Sequence, residues 1–305
     1  MIDTVNYGDY TLYTLSSEEL RLRVCTLGAT VMGLRYRGRD CVLAYERPED
    51  YLAGQDYLGA TVGRCGNRIA GAAFSLNGRH FALAANEGAN QLHGGPEAFD
   101  RRVWKGEVVD DTAVRFLLHS PDGDNGYPGN LDAAVTYRVS GSTLRLDFEG
   151  ICDRDTVFAP TNHMYFNLDG SPDIRESLLS LSADRYVEPG PELIPTGRLL
   201  PAEGDFDFHR LRPIARDYDH AFVLSGQPAC TLQAGGIRME LHTDFPAVQI
   251  YTGAFLKPPL SPRQGVAIEP EFYPDSPHHP DFPSVVLKAG ETFRRWAEYR
   301  FSPQS

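Results

Sequence analysis

The sequence has few cysteines, and none of them form a motif. Five occur among its 305 residues without a Cys-x-x-Cys pair: Cys25, Cys41, Cys65, Cys152 and Cys230. An odd and dispersed set argues against a disulfide framework and is typical of free thiols in a reducing compartment. We therefore expect a cytoplasmic protein.

Basic residues and long apolar runs are also scarce. Lysine and arginine total 29 against 41 aspartate and glutamate, so the formal net charge is −12. This balance disfavours nucleic acid and membranes as partners, because nucleic acid and anionic lipid both attract basic surfaces. No apolar stretch approaches the roughly 18 residues of a membrane span. The first residues also lack the basic and apolar segments of a secretory signal.

Short strand patterns fill most of the chain. Apolar and polar residues alternate with period two, which is typical of half-buried strands. The predicted strands cover residues 10–15, 20–24, 30–36, 41–45, 102–109, 114–119, 134–139, 144–149, 160–168, 237–242, 248–251, 266–268, 285–287 and 293–301. No Pro/Gly/Ser linker and no repeat divides the chain. We predict an all-β fold, one large antiparallel β-sandwich domain over residues 1–305.

Two local elements are predicted from turn and capping signals. Asn77-Gly78 between two alternating runs predicts a hairpin over residues 73–83. Pro48 followed by Glu49 and Asp50 predicts a helical turn at residues 48–52. A second helical turn is predicted at residues 16–20.

Two segments combine strand character with unusual polar groups. Residues 160–168 carry Asn162, His163 and Asn167 in an apolar and aromatic strand pattern, and Glu269 ends the small apolar strand from residue 265. A buried histidine with a backbone partner is the alternative interpretation for His163. An imidazole and a carboxylate on two rigid strands would suit the acid and the base of a proton-transfer enzyme.

Three further segments bring polar side chains next to glycines or strand ends. Asn67 and Arg68 follow a Gly-rich loop that lacks the Lys-Ser/Thr ending of a phosphate-binding loop, so a salt-bridged surface arginine is the alternative. His93 precedes two glycines and could equally be a turn histidine. Asp219 starts an apolar run, where a strand cap is the alternative.

As a set, these segments resemble the aldose 1-epimerase (galactose mutarotase) family along essentially the whole chain. The resemblance is carried by seven blocks in the order found in that family: GRCGNRI at 63–69, NQLHGG at 90–95, DGDNGYPGN at 122–130, TNHMYFNL at 161–168, YDHAF at 218–222, QIYTG at 249–253 and IEPEFYPDSP at 268–277.

The resemblance implies a galactose mutarotase-like supersandwich with an open sugar cleft, no metal and no cofactor. A free aldohexose would be the substrate, and we expect a monomer. By position, Glu269 would be the general base and His163 the general acid. The residues that would hold the sugar are Arg68, His93 and Asp219, with Asn67 beside Arg68.

Two departures from the family pattern concern sugar preference. Ala254 follows Tyr-Thr-Gly where the family often has asparagine, and the segment 255–265 is short and proline-rich. This segment could border the cleft. Tyr251 and Phe272 are candidates for an aromatic side chain that faces the sugar.

Three other functions stay open. One is a glycoside hydrolase that uses Glu269 with Asp219 as its carboxylate pair. Another is a non-catalytic carbohydrate-binding protein. A third is a hexose-6-phosphate mutarotase, although the matched blocks contain no extra basic cluster for a phosphate.

Overall fold

Antiparallel strands are the main elements of the computed structural model, which describes residues 2–54 and 56–304. In the first half the strands are β1 Ile2–Tyr7, β2 Tyr10–Ser16, β3 Leu20–Cys25, β4 Thr30–Tyr36, β5 Arg39–Asp40, β6 Thr61–Val62, β7 Arg68–Ile69, β8 Ala73–Leu76, β9 Arg79–Ala82, β10 Gln91–Leu92, β11 Lys105–Asp110, β12 Ala113–Ser120, β13 Leu131–Ser140 and β14 Thr143–Cys152. In the second half they are β15 Thr156–Val157, β16 Thr161–Asn162, β17 Tyr165–Phe166, β18 Leu178–Leu181, β19 Ala183–Pro189, β20 Pro195–Pro201, β21 Arg212–Pro213, β22 Asp219–Leu224, β23 Cys230–Ala234, β24 Ile237–Thr243, β25 Ala247–Tyr251, β26 Val266–Glu271, β27 Val286–Leu287 and β28 Thr292–Pro303.

Helical structure is short. The α-helix α1 spans Pro48–Ala53, as the proline and the acidic first turn predicted. Single 3₁₀ turns lie at Ala70–Ala72, Phe99–Arg101, Asp124–Gly126, Ile174–Glu176, Pro191–Leu193, Gly204–Phe206 and Ser276–His278. Among the described residues, none of these helices has the length and apolar character needed to cross a membrane.

Three sheets form the body of the fold. The strand order is β11-β12-β13-β14-β28-β24-β23-β18-β21 in a nine-stranded sheet, β17-β26-β25-β22-β19-β20 in a six-stranded sheet and β1-β2-β3-β4-β5 in a five-stranded sheet. In β14 Leu144, Leu146 and Phe148 are buried and Arg145, Asp147 and Glu149 are half-buried, which is the alternation that predicted this strand. β26 is buried along its whole length, as expected for a strand with two neighbours in a covered sheet.

The core lies between these sheets. The ring centroid of Phe166 from β17 lies 5.2 Å from that of Tyr299 in β28, and the ring of Tyr36 from β4 stacks 5.7 Å from that of Phe301. Tyr299 and Phe301 are two residues apart on β28, so their side chains point to the same face of the nine-stranded sheet. The two smaller sheets therefore pack against that face. The predicted all-β antiparallel sandwich is confirmed.

The hairpin prediction is confirmed, and three local predictions are wrong. Asn77 and Gly78 both adopt positive φ, 51° and 73°, as a type I′ turn between β8 and β9 requires. No helical turn forms at residues 16–20, because the Ser17 N–H donates to the Leu20 carbonyl and closes a tight turn between β2 and β3.

Residues 41–45 are not a strand, since β5 ends at Asp40 and only isolated bonds follow, such as Leu43 N–H to the Tyr165 carbonyl. The predicted strand at 160–168 is divided into β16 and β17. His163 and Met164 lie between them, because β16 pairs with β6 while β17 pairs with β26.

Candidate active site

The strand β26 places Glu269 at the centre of the candidate site. Its neighbour β25 sets Gln249 opposite Glu269, and β22 sets Asp219 opposite Tyr251. Directly opposed residues of adjacent strands lie about 5 Å apart and diagonal ones about 7–8 Å apart. Gln249 directly opposes Glu269 and is diagonal to Asp219, so the three strands bring these residues together. The Gln249 carboxamide donates a hydrogen bond to the Asp219 carboxylate.

His163 is fixed by its own backbone. Its N–H donates to the Ala60 carbonyl and its carbonyl accepts from the Gly59 N–H, both at 2.9 Å. The ring is buried and its Nε2 lies 3.5 Å from Oε1 of Glu269. Within the described part of the chain, Nδ1 of His163 and Oε2 of Glu269 have no hydrogen-bond partner. Both atoms are buried, so the pair has hydrogen-bonding capacity that the described residues leave unused.

His93 follows β10 and packs beside His163. Their ring centroids lie 5.2 Å apart, and the Tyr57 ring lies 4.5 Å from that of His93. Nδ1 of His93 accepts a hydrogen bond from the Asn67 backbone N–H at 3.1 Å. In the neutral ring the proton is therefore on Nε2, which can donate to a hydroxyl group.

Arg68 is salt-bridged, but it lies at the cavity wall. Nε and Nη2 donate to the two carboxylate oxygens of Glu87 at 2.7 and 2.8 Å. This bidentate contact fixes the guanidinium plane. The Asn67 side chain accepts from the Arg68 N–H at 2.9 Å and donates to Oε1 of Glu271 at 3.1 Å.

The six residues to which the family resemblance assigns a catalytic or sugar-binding role border one open cavity of about 1190 Å³. Asn67, Arg68, His93, His163, Asp219 and Glu269 line it together with Tyr57, Glu87, Tyr165, Gln249 and Tyr251. Phe255, Lys257, Pro258 and Pro259 also line the cavity, so the short proline-rich segment does border the cleft.

The two candidates for an aromatic side chain that faces the sugar lie in different places. Tyr251 lines the cavity, whereas Phe272 lies in the core against Phe245 and Phe293. The prediction for Phe272 is wrong because Glu269 and Glu271 occupy one face of β26, so the residue after Glu271 points to the other face.

Burial controls the protonation of the central pair. Burial and the neighbouring Glu271 carboxylate raise the pKa of Glu269 well above its usual range. Burial lowers the pKa of His163 to about 4. Burial also raises the pKa of Asp219. The shifts of Glu269 and His163 both favour the neutral form of the group concerned, so of these two groups the carboxyl group is the favoured position of a proton.

The composition of the site also resembles a metal centre. One ligand atom from each of His93, His163 and Glu269 lies within 4.8 Å of the other two. Two histidines and a carboxylate are a known zinc set. However, metal binding through Nε2 of His93 would require a proton on Nδ1, and Nδ1 faces the Asn67 N–H donor. This hydrogen bond thus favours Nε2 of His93 as a donor to hydroxyl groups rather than as a metal ligand.

Several site residues were not singled out in the sequence. Gln249 lies in the QIYTG block, two residues before Tyr251, and strand alternation could have placed both on one face. Glu87, Tyr57 and Glu271 carry no comparable signal, because their importance comes from partners distant in sequence.

Comparison with known proteins gives consistent results. The sequence model described as aldose 1-epimerase matches residues 11–300. An aldose 1-epimerase of Haemophilus influenzae is 37% identical, with 96% of each chain covered. A galactose mutarotase of Homo sapiens is 34% identical, with 97% of this chain and 95% of that protein covered.

Solved structures agree with these sequence relatives. An aldose epimerase homologue from C. elegans has a TM-score of 0.93 at 26% identity over 100% of both chains. A galactose 1-epimerase from Lactobacillus acidophilus has a TM-score of 0.91 at 27% identity, with 100% of this chain and 99% of that chain covered.

Proposed function

The chain belongs to the aldose 1-epimerase family, and from this premise we propose that Glu269 and His163 interconvert the α and β anomers of free aldohexoses, galactose and glucose foremost. The protein is an isomerase of sugars. The relatives named as galactose mutarotases support galactose as a substrate, and glucose differs from it only in the configuration at C4.

The reaction needs one base and one acid. The base removes the proton from the anomeric hydroxyl while the acid protonates the ring oxygen, and the C1–O5 bond breaks. After rotation about C1–C2 the aldehyde is closed on its other face, with the two groups in reversed roles. We assign the base to Glu269 and the acid to His163, each contributing about 10²–10⁴-fold.

The close approach of the two groups is the observation that supports this assignment. Oε1 of Glu269 and Nε2 of His163 lie 3.5 Å apart in the free cavity. The anomeric oxygen and the ring oxygen are bonded to the same carbon, so an acid and a base that serve them must lie side by side.

The number of protons held by Glu269 and His163 is also consistent with this mechanism. Ring opening moves one proton from the sugar to Glu269 and one from His163 to the sugar, and ring closure moves both in the opposite direction, so the pair keeps one proton throughout. Burial favours the neutral carboxyl and imidazole, the state reached after ring opening. Hydrogen bonds from sugar hydroxyls to Glu269 favour its carboxylate, which is the state that starts the reaction.

The remaining polar residues suit a neutral polyol. Nε2 of His93 and the guanidinium of Arg68 can donate to hydroxyls, and the Asp219 carboxylate can accept from a pair of them. Asn67 orients Arg68 and His93.

The cavity does not favour the alternative functions. Its described lining has six acidic side chains and three basic ones, and one of the basic ones, Arg68, is already paired with Glu87. This balance disfavours a sugar phosphate. A glycosidase and a non-catalytic binding protein are also not favoured, because the relatives are named as epimerases and mutarotases.

We further propose a single domain over residues 1–305, a monomer and a cytoplasmic location. The largest core cluster draws on residues from Leu15 to Phe301, as one domain requires. The five cysteines are all free and buried, which suits a reducing compartment.

Polarimetry on freshly dissolved α-D-galactose and α-D-glucose tests the function. The protein should accelerate the change of rotation, and Glu269→Gln should reduce kcat by about 10²–10⁴-fold without changing the fold. Glu240→Gln on β24, which removes a carboxylate paired with Arg238, is the matched control and should keep full activity. Retention of most of the wild-type rate by Glu269→Gln would disprove its role as the base.

A further inference from the structure

Glu271 is a second buried carboxyl group that the reaction above does not use. It follows Glu269 by two residues on β26, so both side chains leave the same face of the strand. Their exposed fractions are 1% for Glu271 and 2% for Glu269. Glu269 lines the sugar cavity, whereas Glu271 borders a separate cavity of about 10 Å³ behind it. Glu271 therefore does not touch the sugar.

Contacts connect Glu271 to the residues that would hold the sugar. Its Oε1 accepts from Nδ2 of Asn67 at 3.1 Å. The backbone N–H of Asn67 donates to Nδ1 of His93 at 3.1 Å, and its side-chain oxygen accepts from the Arg68 N–H at 2.9 Å. Asn67 has a positive φ of 56°, so its conformation depends on these bonds. The orientation of His93 thus depends on the group that holds Asn67.

The charges around Glu271 are mostly negative. Glu269 lies on the same strand as Glu271. Asp219 on β22 contributes a further negative charge, and Arg68 on β7 contributes the opposing positive charge. Arg68 already forms a salt bridge with Glu87. The groups that border the small cavity with Glu271 include Cys65 and Asp275.

Two adjacent buried carboxyl groups cannot both ionise readily near neutral pH. Burial raises the pKa of Glu271 to about 8, and burial together with Glu271 raises that of Glu269. The two groups titrate as one unit, so the ionisation of either one opposes that of the other.

We propose that Glu271 is a positioning residue of the mutarotase reaction, which holds Asn67 and His93 in place and sets the pH at which the catalytic pair loses its proton. This inference rests on the proposed function. It assigns to Glu271 a geometric effect, through Asn67, and an electrostatic effect, through Glu269.

Two substitutions separate these effects. Glu271→Gln keeps an oxygen that can accept from Asn67 and removes the negative charge. Without that charge the pair of Glu269 and His163 loses its proton more easily, so the alkaline limb of kcat/KM should move to lower pH by about one unit or more. Glu271→Leu also removes the acceptor, so Asn67 is left unpaired and KM should rise by about tenfold or more.

The test is a pH series of kcat and KM by polarimetry, with the spontaneous rate subtracted. It compares the wild type, both Glu271 variants and the control Glu240→Gln, whose pH profile should match that of the wild type. Asn67→Ala is added alone and with Glu271→Leu. If Glu271 acts through Asn67, Glu271→Leu should raise KM far less in the Asn67→Ala background.

The outcomes are distinct. A Glu271→Gln profile that superimposes on the wild type overturns the electrostatic effect, and additive increases of KM in the double variant overturn the geometric one. If Glu271→Leu does not fold, the Glu271→Gln profile still decides the proposal. A wild-type protein without activity would refute the proposed function. If the wild type is active, an unshifted pH profile of Glu271→Gln together with additive increases of KM refutes only this inference.

Discussion

His163 lies where its neutral form is strongly favoured. The ring is buried, its Nδ1 has no partner among the described residues, and its pKa is lowered to about 4. A surface histidine would titrate near 6.5. The raised pKa of the neighbouring Glu269 makes its carboxyl group the favoured position of a proton that the two groups share.

The acid limb of the pH profile should reflect this environment. A second proton on the pair must go to the imidazole, because the pKa of Glu269 is raised. The pair then lacks a base, so kcat/KM should fall as the pH decreases through about 4, and it should remain constant across 6.5.

Polarimetry from pH 3.5 to 8 would measure this limb, with circular dichroism at each pH to show that the fold is intact. An acid limb near pH 6.5 with an intact fold would mean that the imidazole is hydrated and that the burial argument is wrong.

For individual residues, the sequence predicted the catalytic and sugar-binding side chains better than the side chains that orient them. His163, Glu269, Arg68, His93 and Asp219 belong to motifs, and the structure brings them to one cavity. The residues that orient them could not be recognised, because their contacts are distant in the chain. Glu87 lies 19 residues from Arg68, and Glu271 lies 204 residues from Asn67.

The element that positions His163 is not the single strand expected from its sequence. The chain leaves β16 at Asn162 and enters β17 at Tyr165, and His163 exchanges backbone hydrogen bonds with residues 59 and 60. Apolar content alone does not show where a strand changes its partner, so the interruption was not predicted. The interruption directs the imidazole towards Glu269.

Gly59 makes this arrangement possible. It has a φ of +65°, and a Cβ there would lie 2.2 Å from the Val31 carbonyl oxygen. In Gly59→Ala the backbone must move, and His163 moves with it. We expect a loss of stability about 1–3 kcal/mol larger than in the control. We also expect kcat to fall by up to about 10²-fold, since a shift of about 1 Å can have that effect.

The matched control is Gly71→Ala. Gly71 has a similar φ of +59° and open space around the added methyl group, so it bears the same conformational strain without the collision. Urea denaturation and polarimetry would compare the two variants. Equal stability and equal kcat would show that residues 59 and 60 do not position His163.

At the scale of the whole molecule, local patterns predicted the class of fold but not its sheets. The hairpin of β13 and β14 follows from neighbouring alternation, and it is present with its full register. The pairing of β14 with β28 joins residues about 150 positions apart, and strands of two residues such as β6 and β16 are too short to show a period. Such pairings depend on the collapse of the whole chain and are not encoded in any single segment.

The Arg64 side chain forms hydrogen bonds with segments that are distant from it in the sequence. Its guanidinium is fully buried and donates to Ser120, Pro121, Pro128, Gly129 and Thr156 at 2.9 to 3.2 Å. Most of these acceptors are backbone carbonyls at the end of β12 and in the loop before β13. Because burial withdraws this cation from water, its pKa is lowered.

Removal of the guanidinium should therefore destabilise the whole domain. In Arg64→Met the apolar volume is nearly kept, but several buried carbonyls lose their donor at about 1–3 kcal/mol each. We expect a loss of at least about 3 kcal/mol in the free energy of unfolding. Arg64→Lys should restore only part of it, because an ammonium group cannot reproduce the planar set of five donors.

Urea denaturation followed by tryptophan fluorescence would measure both variants. The control is Arg154→Met, which removes an arginine 46% exposed and paired with Asp122, and which should change stability by no more than about 1 kcal/mol. If Arg64→Met were as stable as this control, the loop before β13 would be held by other contacts, and Arg64 would not link the nine-stranded sheet to the loops around the cavity.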